Sequence, residues 1–287
     1  MRIRMKDKIG ICNWAFPALQ NPECCTMLSK SGITGLQLEL GPRDAKEQPL
    51  CNPAVRRRWC EAAADCDITL LSLMLTGLMT HSLTGKKGAD SLSAALEMLA
   101  QGVDAAHSLG LYKLCLPSFG ASTVEDESDL HATASFLREA ISRARLRGIT
   151  VVTENVLGPR EMECLETKVS GCALYIDAGN YRFFRDVSLL PQLEALLNRS
   201  IDEIHMKDGQ AGRPGSCLLG EGDAEINACL AELIKLDYRG WLVLENYYSH
   251  PSFLAVHKDP FSLLQRDVAY LRDHFFNRGD TGNMTCE

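Results

Sequence analysis

Ile149-Thr-Val-Val-Thr-Glu154, Ala173-Leu-Tyr-Ile-Asp177, Glu203-Ile-His205-Met206 and Trp241-Leu-Val-Leu-Glu245 are four short apolar runs, each reaching or carrying a carboxylate or imidazole near its C-terminal end. Their length and β-branched content suit buried strands, and longer stretches of helical period separate them. Upstream lie four more runs of the same kind, Ile9–Asn13, Gly35–Leu40, Ile68–Met74 and Leu111–Leu116. Helical patterning covers Asn52–Cys66, Ser91–Leu109, Asp129–Arg147, Asn227–Leu236 and Phe261–Phe275. Gly32, Gly110, Gly148 and Gly240 sit just before strands, where a left-handed residue closing a helix is expected. Eight such alternations without a composition break predict an α/β fold, a single (β/α)8 barrel over residues 1–277, with 278–287 a flexible polar tail. Neither GxGxxG nor GxxxxGK[ST] opens the first helix, which speaks against an open nucleotide-binding sheet.

The 287 residues are 46% hydrophobic and 23% charged, enough apolar matter for one large core. Thirty basic against thirty-seven acidic side chains leave a net charge of −7, a field that repels a phosphate backbone, so nucleic acid is not an expected partner. The longest apolar stretch, Leu70 to Met79, falls far short of the roughly 20 residues that span a bilayer. The first eight residues are basic but lack an apolar core behind them, so a cytoplasmic protein is expected. Twelve scattered cysteines without a CxxC pair, including the vicinal Cys24-Cys25, read as reduced thiols.

In barrels of this kind active sites lie at the C-terminal ends of the strands. Glu154 shares a strand face with Val152 and Thr150, and Glu245 with Val243 and Trp241, although alternation alone does not say which face is inside. Three carboxylates brought together would repel strongly, and a cation between them resolves the conflict. Oxygen donors with one imidazole favour a hard divalent ion with open positions, Mn²⁺ first, Mg²⁺ or Co²⁺ next and Zn²⁺ last.

The segments Thr-Glu154-Asn, Ile-Asp177-Ala-Gly-Asn180, Ile204-His205-Met-Lys207-Asp208, Gly220-Glu221-Gly222 and Leu244-Glu245-Asn, with Gly10-Ile-Cys-Asn-Trp14 and Gly35-Leu-Gln-Leu-Glu39, resemble the xylose isomerase-like TIM barrels. The specific likeness is to the sugar phosphate isomerase/epimerase group, which includes ketose 3-epimerases, hydroxypyruvate isomerase and inosose dehydratase. The resemblance implies that Glu154, Asp177, His205 and Glu245 hold the metal and that Glu154 and Glu245 are also catalytic, carrying protons on opposite faces of a sugar or polyol ketone. It also allows a homodimer or tetramer. Such a site acts through an enediolate; it epimerises, isomerises, or expels a β-hydroxyl as a dehydratase of an inosose-like or dehydroshikimate-like substrate. A non-catalytic sugar-binding barrel is the remaining alternative. The chain departs from the epimerase pattern twice: Glu154-Asn-Val-Leu-Gly-Pro-Arg160 lacks a second Glu, and Asn180 stands where a His is common. DNA-repair endonucleases on the same barrel need a His-rich trinuclear zinc cluster, which these histidine positions do not supply.

Around the mouth, Arg213 and Lys207 are candidates to hold a substrate hydroxyl or phosphate, and Asn180, Glu39 and His81 to contact hydroxyls. Each has a plainer reading as an exposed, solvated or internally paired group. Asp208 and Glu221 are expected to accept the free N–H of His205 or to brace its loop. Trp14, Phe16 and Pro117-Ser-Phe119 offer either an apolar wall or simple packing.

Overall fold

All eight expected runs form strands: β1 (Ile9–Cys12), β2 (Gly35–Glu39), β3 (Thr69–Met74), β4 (Lys113–Pro117), β5 (Thr150–Glu154), β6 (Cys172–Asp177), β7 (Ser200–Met206) and β8 (Trp241–Leu244). In this computed structural model, which describes residues 7–42, 47–255 and 259–277, each strand pairs in parallel with its neighbours in sequence, and β8 closes on β1. The architecture is therefore a single closed (β/α)8 barrel. The 278–287 tail lies outside the described residues.

The helices begin where the chain supplies caps. Asn52 accepts from the Ala54 N–H ahead of the helix Pro53–Asp65, and Asp126 from the Asp129 N–H ahead of the helix Glu127–Ala144. Gly32, Gly110 and Gly148 do adopt left-handed backbone, with φ of 81°, 69° and 69°. Gly240 does not: Asp237, at φ 53°, takes the left-handed position after the helix Ile226–Lys235. Glycine is needed at 240 for space, because a Cβ there would stand 2.2 Å from the Tyr238 hydroxyl oxygen.

Two offsets in strand pairing place the interior side chains. Leu36 pairs with Leu70 but Leu38 with Leu73, so β3 carries one extra residue opposite Gln37. Leu174 pairs with Ser200 but Ile176 with Ile204, so β7 carries two extra residues. That slide sets His205 level with Asp177 and drops Glu203 to the floor, beside Trp241; without it Glu203 would face Asp177.

Inside the barrel, Met74, Cys115, Val152 and Tyr175 form one cluster, while Cys12, Leu71 and Val243, with Trp241 packed on them, form another. Val152 and Val243 share faces with Glu154 and Glu245, which settles that both carboxylates point inward. Gly35 makes room for the floor: a Cβ there would lie 2.6 Å from the Trp241 ring and 2.9 Å from Leu71. Gly35→Ala is expected to cost about 1–3 kcal/mol by overpacking, read as a lower thermal midpoint in calorimetry. No helix among the described residues is long and apolar enough to cross a membrane. The eleven described cysteines are all free.

Candidate active site

The four expected donors converge. One atom each of Glu154, Asp177, His205 and Glu245 lies within 4.8 Å of the others, and all four residues are buried. His205 Nδ1 is 3.4 Å from Glu154 Oε1, 3.3 Å from Glu245 Oε2 and 3.8 Å from Asp177 Oδ2. Glu154 and Glu245 line a cavity of about 280 Å³ together with Trp14, Glu39, Phe119 and Tyr247, while Asp177 and His205 lie behind its lining.

Each carboxylate is aimed by a partner from another strand or loop. The Asn180 amide donates to Glu154 Oε1 at 2.9 Å, and the Trp14 indole N–H to Glu245 Oε1 at 2.9 Å. Asp177 Oδ1 accepts from the backbone N–H groups of Gly179 and Asn180 at 2.7 and 2.8 Å, fixed by the turn into the helix Asn180–Arg185. Lys207 Nζ lies 2.7 Å from Glu245 Oε2 and 3.0 Å from Asp177 Oδ2. Asp177 Oδ2 nevertheless makes no hydrogen bond, and neither does Asn180 Oδ1, although both are buried. Lys207, the residue just past the end of β7, continues the alternation of His205 and so falls on the same side, a signal that strand parity carries.

Three carboxylates share this centre with one ammonium, Lys207, and one imidazole; with His205 neutral and all three acids ionised, two negative charges would remain, the balance a divalent cation would supply. Burial opposes a charged imidazole, yet Glu245, Glu154 and Asp177 outweigh it and hold His205 above its ordinary pKa. Burial likewise opposes the Lys207 cation, and Asp177 and Glu245 overcome it. Asp177 is pushed up by burial and by the charge of Glu245 beyond what Lys207 restores. A second grouping, Cys12 with His205 and Glu245, is a poorer metal site, since burial drives the Cys12 thiol well above its ordinary pKa and keeps it protonated. Asp177 Oδ2, buried without a hydrogen bond and facing the Lys207 ammonium, and a donor set of three carboxylates with one imidazole fit a hard divalent ion.

A family model described as xylose isomerase-like TIM barrel matches residues 26–274. The chain belongs to the xylose isomerase-like TIM barrel family. It is 31% identical over 255 residues, 85% of this chain and 88% of the relative, to 2-epi-5-epi-valiolone 7-phosphate 2-epimerase of Actinoplanes sp.. Among solved structures, a xylose isomerase domain protein from Planctomyces limnophilus superposes with a TM-score of 0.73 at 14% identity, covering 95% of this chain and 100% of that one. D-Psicose 3-epimerase with D-tagatose, from Clostridium cellulolyticum H10, gives 0.71 at 14% identity, covering 93% and 99%.

Not every residue expected at the mouth of this xylose isomerase-like barrel reaches it. Asn180, Lys207 and Glu39 line the cavity, and Glu39 accepts from Thr76 Oγ1 at 2.7 Å. Arg213 does not: it is exposed on the ribbon pairing Gly209–Gln210 with Arg213–Pro214, whose turn carries its side chain into solvent. His81 is half-buried in the loop after β3 and lies outside the cavity lining. Glu221 is no partner of His205, since it is exposed and pairs with Arg266 at 3.3 Å. Asp208 braces the loop alone, its carboxylate accepting from the N–H groups of Gly209, Gly220, Gly222 and Ala224. The group facing the far nitrogen of His205 is Gln37, with Oε1 2.7 Å from Nε2. Trp14, Pro117 and Phe119 do line the cavity, whereas Phe16 is buried edge-on against Tyr248, ring centroids 6.0 Å apart. Asn155 and Asn246, each following a site glutamate, tie down adjoining backbone at Leu157 and Asp208.

Proposed function

We propose that this protein is a divalent-metal-dependent epimerase or isomerase that moves a proton on the carbon next to the carbonyl of a polyhydroxy ketone, with Glu154, Asp177, His205 and Glu245 as metal ligands. The observation that carries this reading is the pair of buried carboxylates, Glu154 and Glu245, which converge on one imidazole while each is oriented by its own cavity-lining donor. A divalent ion bound there would polarise the substrate carbonyl and acidify the neighbouring C–H. Glu154 and Glu245 then exchange protons with that carbon from opposite sides. Asn180 keeps Glu154 in place with its amide N–H and turns an unpartnered carbonyl toward a substrate hydroxyl. Lys207 holds Glu245 and Asp177 apart from bulk solvent in a fixed geometry. The curated relative, named for epimerising a valiolone 7-phosphate at position 2, supports a polyol ketone with or without phosphate as the substrate class.

The test is a chelator-treated preparation resupplied with Mn²⁺, Mg²⁺ or Co²⁺ and offered ketoses and cyclic polyol ketones, free and phosphorylated, in deuterated water. Deuterium entering next to the carbonyl, followed by the epimer or isomer, is expected with metal and not without. An enone absorbance would reassign the enzyme as a dehydratase, and no exchange with any substrate or metal would defeat the proposal.

Metal binding should also depend on pH. The three carboxylates favour protonated His205, and an ion must displace that proton, so affinity is expected to fall as pH is lowered from neutrality. Titration calorimetry in buffers of different ionisation enthalpy would report the released proton; pH-independent affinity would contradict the role of His205.

A further inference from the structure

Beneath the carboxylate cluster lies a run of buried polar side chains that the reaction above does not use. Gln37 Oε1 meets His205 Nε2 at 2.7 Å, and Gln37 Nε2 donates to Ser72 Oγ at 2.8 Å. Ser72 Oγ donates to Glu203 Oε2 at 2.7 Å, and the other Glu203 oxygen lies 2.5 Å from Lys113 Nζ. His205, Gln37, Ser72 and Glu203 have no exposed surface at all. Lys113, at the start of β4 on the barrel floor, keeps 20% of its side chain exposed.

The sense of every bond follows from the floor upward. Glu203 beside the Lys113 ammonium is a carboxylate that only accepts, so the Ser72 hydroxyl has to donate to it. The Ser72 oxygen is then left to accept, and the Gln37 NH₂ group supplies the proton. This turns the Gln37 carbonyl to His205, which must carry its ring proton on Nε2. When an ion displaces the second ring proton, the lone pair is therefore left on Nδ1, the nitrogen facing the three carboxylates. Cys12 does not reverse this order: its sulfur lies 3.3 Å from Nε2, but the thiol is a weak acceptor that points its own proton toward Gln37 Oε1 at 3.4 Å. Because a Gln amide neither gains nor loses a proton near neutrality, the chain passes on orientation rather than charge.

We infer that the Lys113–Glu203 ion pair on the barrel floor is a positioning element for metal binding, acting through Ser72 and Gln37 to fix which nitrogen of His205 presents its lone pair at the mouth. The inference rests on the reading of the cluster as a metal site. Glu203→Gln would let the chain run in either sense, and Ser72→Ala would break it, whereas Lys113→Arg preserves the charge that sets it.

The experiment measures Mn²⁺ affinity by calorimetry in wild type and the three variants, with folding checked by circular dichroism. Imidazole ¹⁵N spectra of the diamagnetic Zn²⁺-loaded protein accompany it. Glu203→Gln and Ser72→Ala are expected to bind Mn²⁺ about 10–100-fold more weakly, with Lys113→Arg close to wild type. Wild-type His205 should show a proton on Nε2 and metal on Nδ1. Folded variants with unchanged affinity would overturn the inference, as would a wild-type spectrum with the proton on Nδ1, which needs no variant to fold. Failure of the wild type to bind any divalent ion would instead bring down the metal reading itself.

Discussion

Glu154→Gln is expected to abolish conversion of substrate, lowering kcat roughly 10²–10⁴-fold while the barrel stays folded. The substitution keeps the shape of the side chain and an oxygen to accept from the Asn180 amide at the present 2.9 Å, so the local geometry survives. What disappears is a group able to take and return a proton. The two glutamates serve opposite faces in the proposed chemistry, so loss of one should leave the other competent to wash deuterium into whichever epimer presents its C–H to that side. Exchange without epimerisation in Glu154→Gln, with the complementary epimer exchanging in Glu245→Gln, is the outcome that supports two carriers. Variants that epimerise at wild-type rate would remove both residues from the reaction. Glu245→Gln is the harsher change: Trp14 Nε1 and Lys207 Nζ donate to its two oxygens, and an amide can accept from only one side.

Lys207→Met carries the second large effect, on stability rather than turnover. Its ammonium lies between Asp177 and Glu245 in a site almost closed to water. Deleting one partner of a buried ion pair leaves charge uncompensated, and about 3–5 kcal/mol of destabilisation is expected for the metal-free protein. In the proposed site a divalent ion would replace the missing positive charge and bind only the folded state, so Mn²⁺ should raise the thermal midpoint of the variant more than that of wild type. Scanning calorimetry of chelated and Mn²⁺-loaded samples decides it. An unchanged midpoint for chelated Lys207→Met would mean that the ammonium does not balance these carboxylates.

The barrel and the convergence of four polar strand ends were legible because an acid or imidazole closing an apolar run stands out against the period of a strand. Glu154, Asp177, His205 and Glu245 needed only that pattern and the rule that active sites sit at the strands' C-terminal ends. The surroundings were harder to read. Glu221 and Arg213 lie near His205 in sequence, but adjacency does not say which way a loop turns, and both side chains face solvent. Gln37 comes from a strand 168 residues away, and its contact with His205 depends on the two extra residues in β7, which no local signal announces. Lys207 was visible as a residue near the site but was expected to hold substrate; its place among the carboxylates follows from parity with His205. The left-handed position at Asp237 shows the same limit on a smaller scale, since the helix closed three residues before the glycine expected to close it.

Packing of Trp241 and Leu71 against Val243 and Cys12 blocks the lower end of the cylinder. The route from Glu154 and Glu245 to bulk water accordingly runs through the mouth, the opening that a ketone would cover in the proposed reaction. In the proposed two-carrier reaction a hydrogen lifted from substrate would stay on its glutamate until that opening clears, so substrate released after internal return would keep its original label while product would carry the hydrogen of the opposite glutamate.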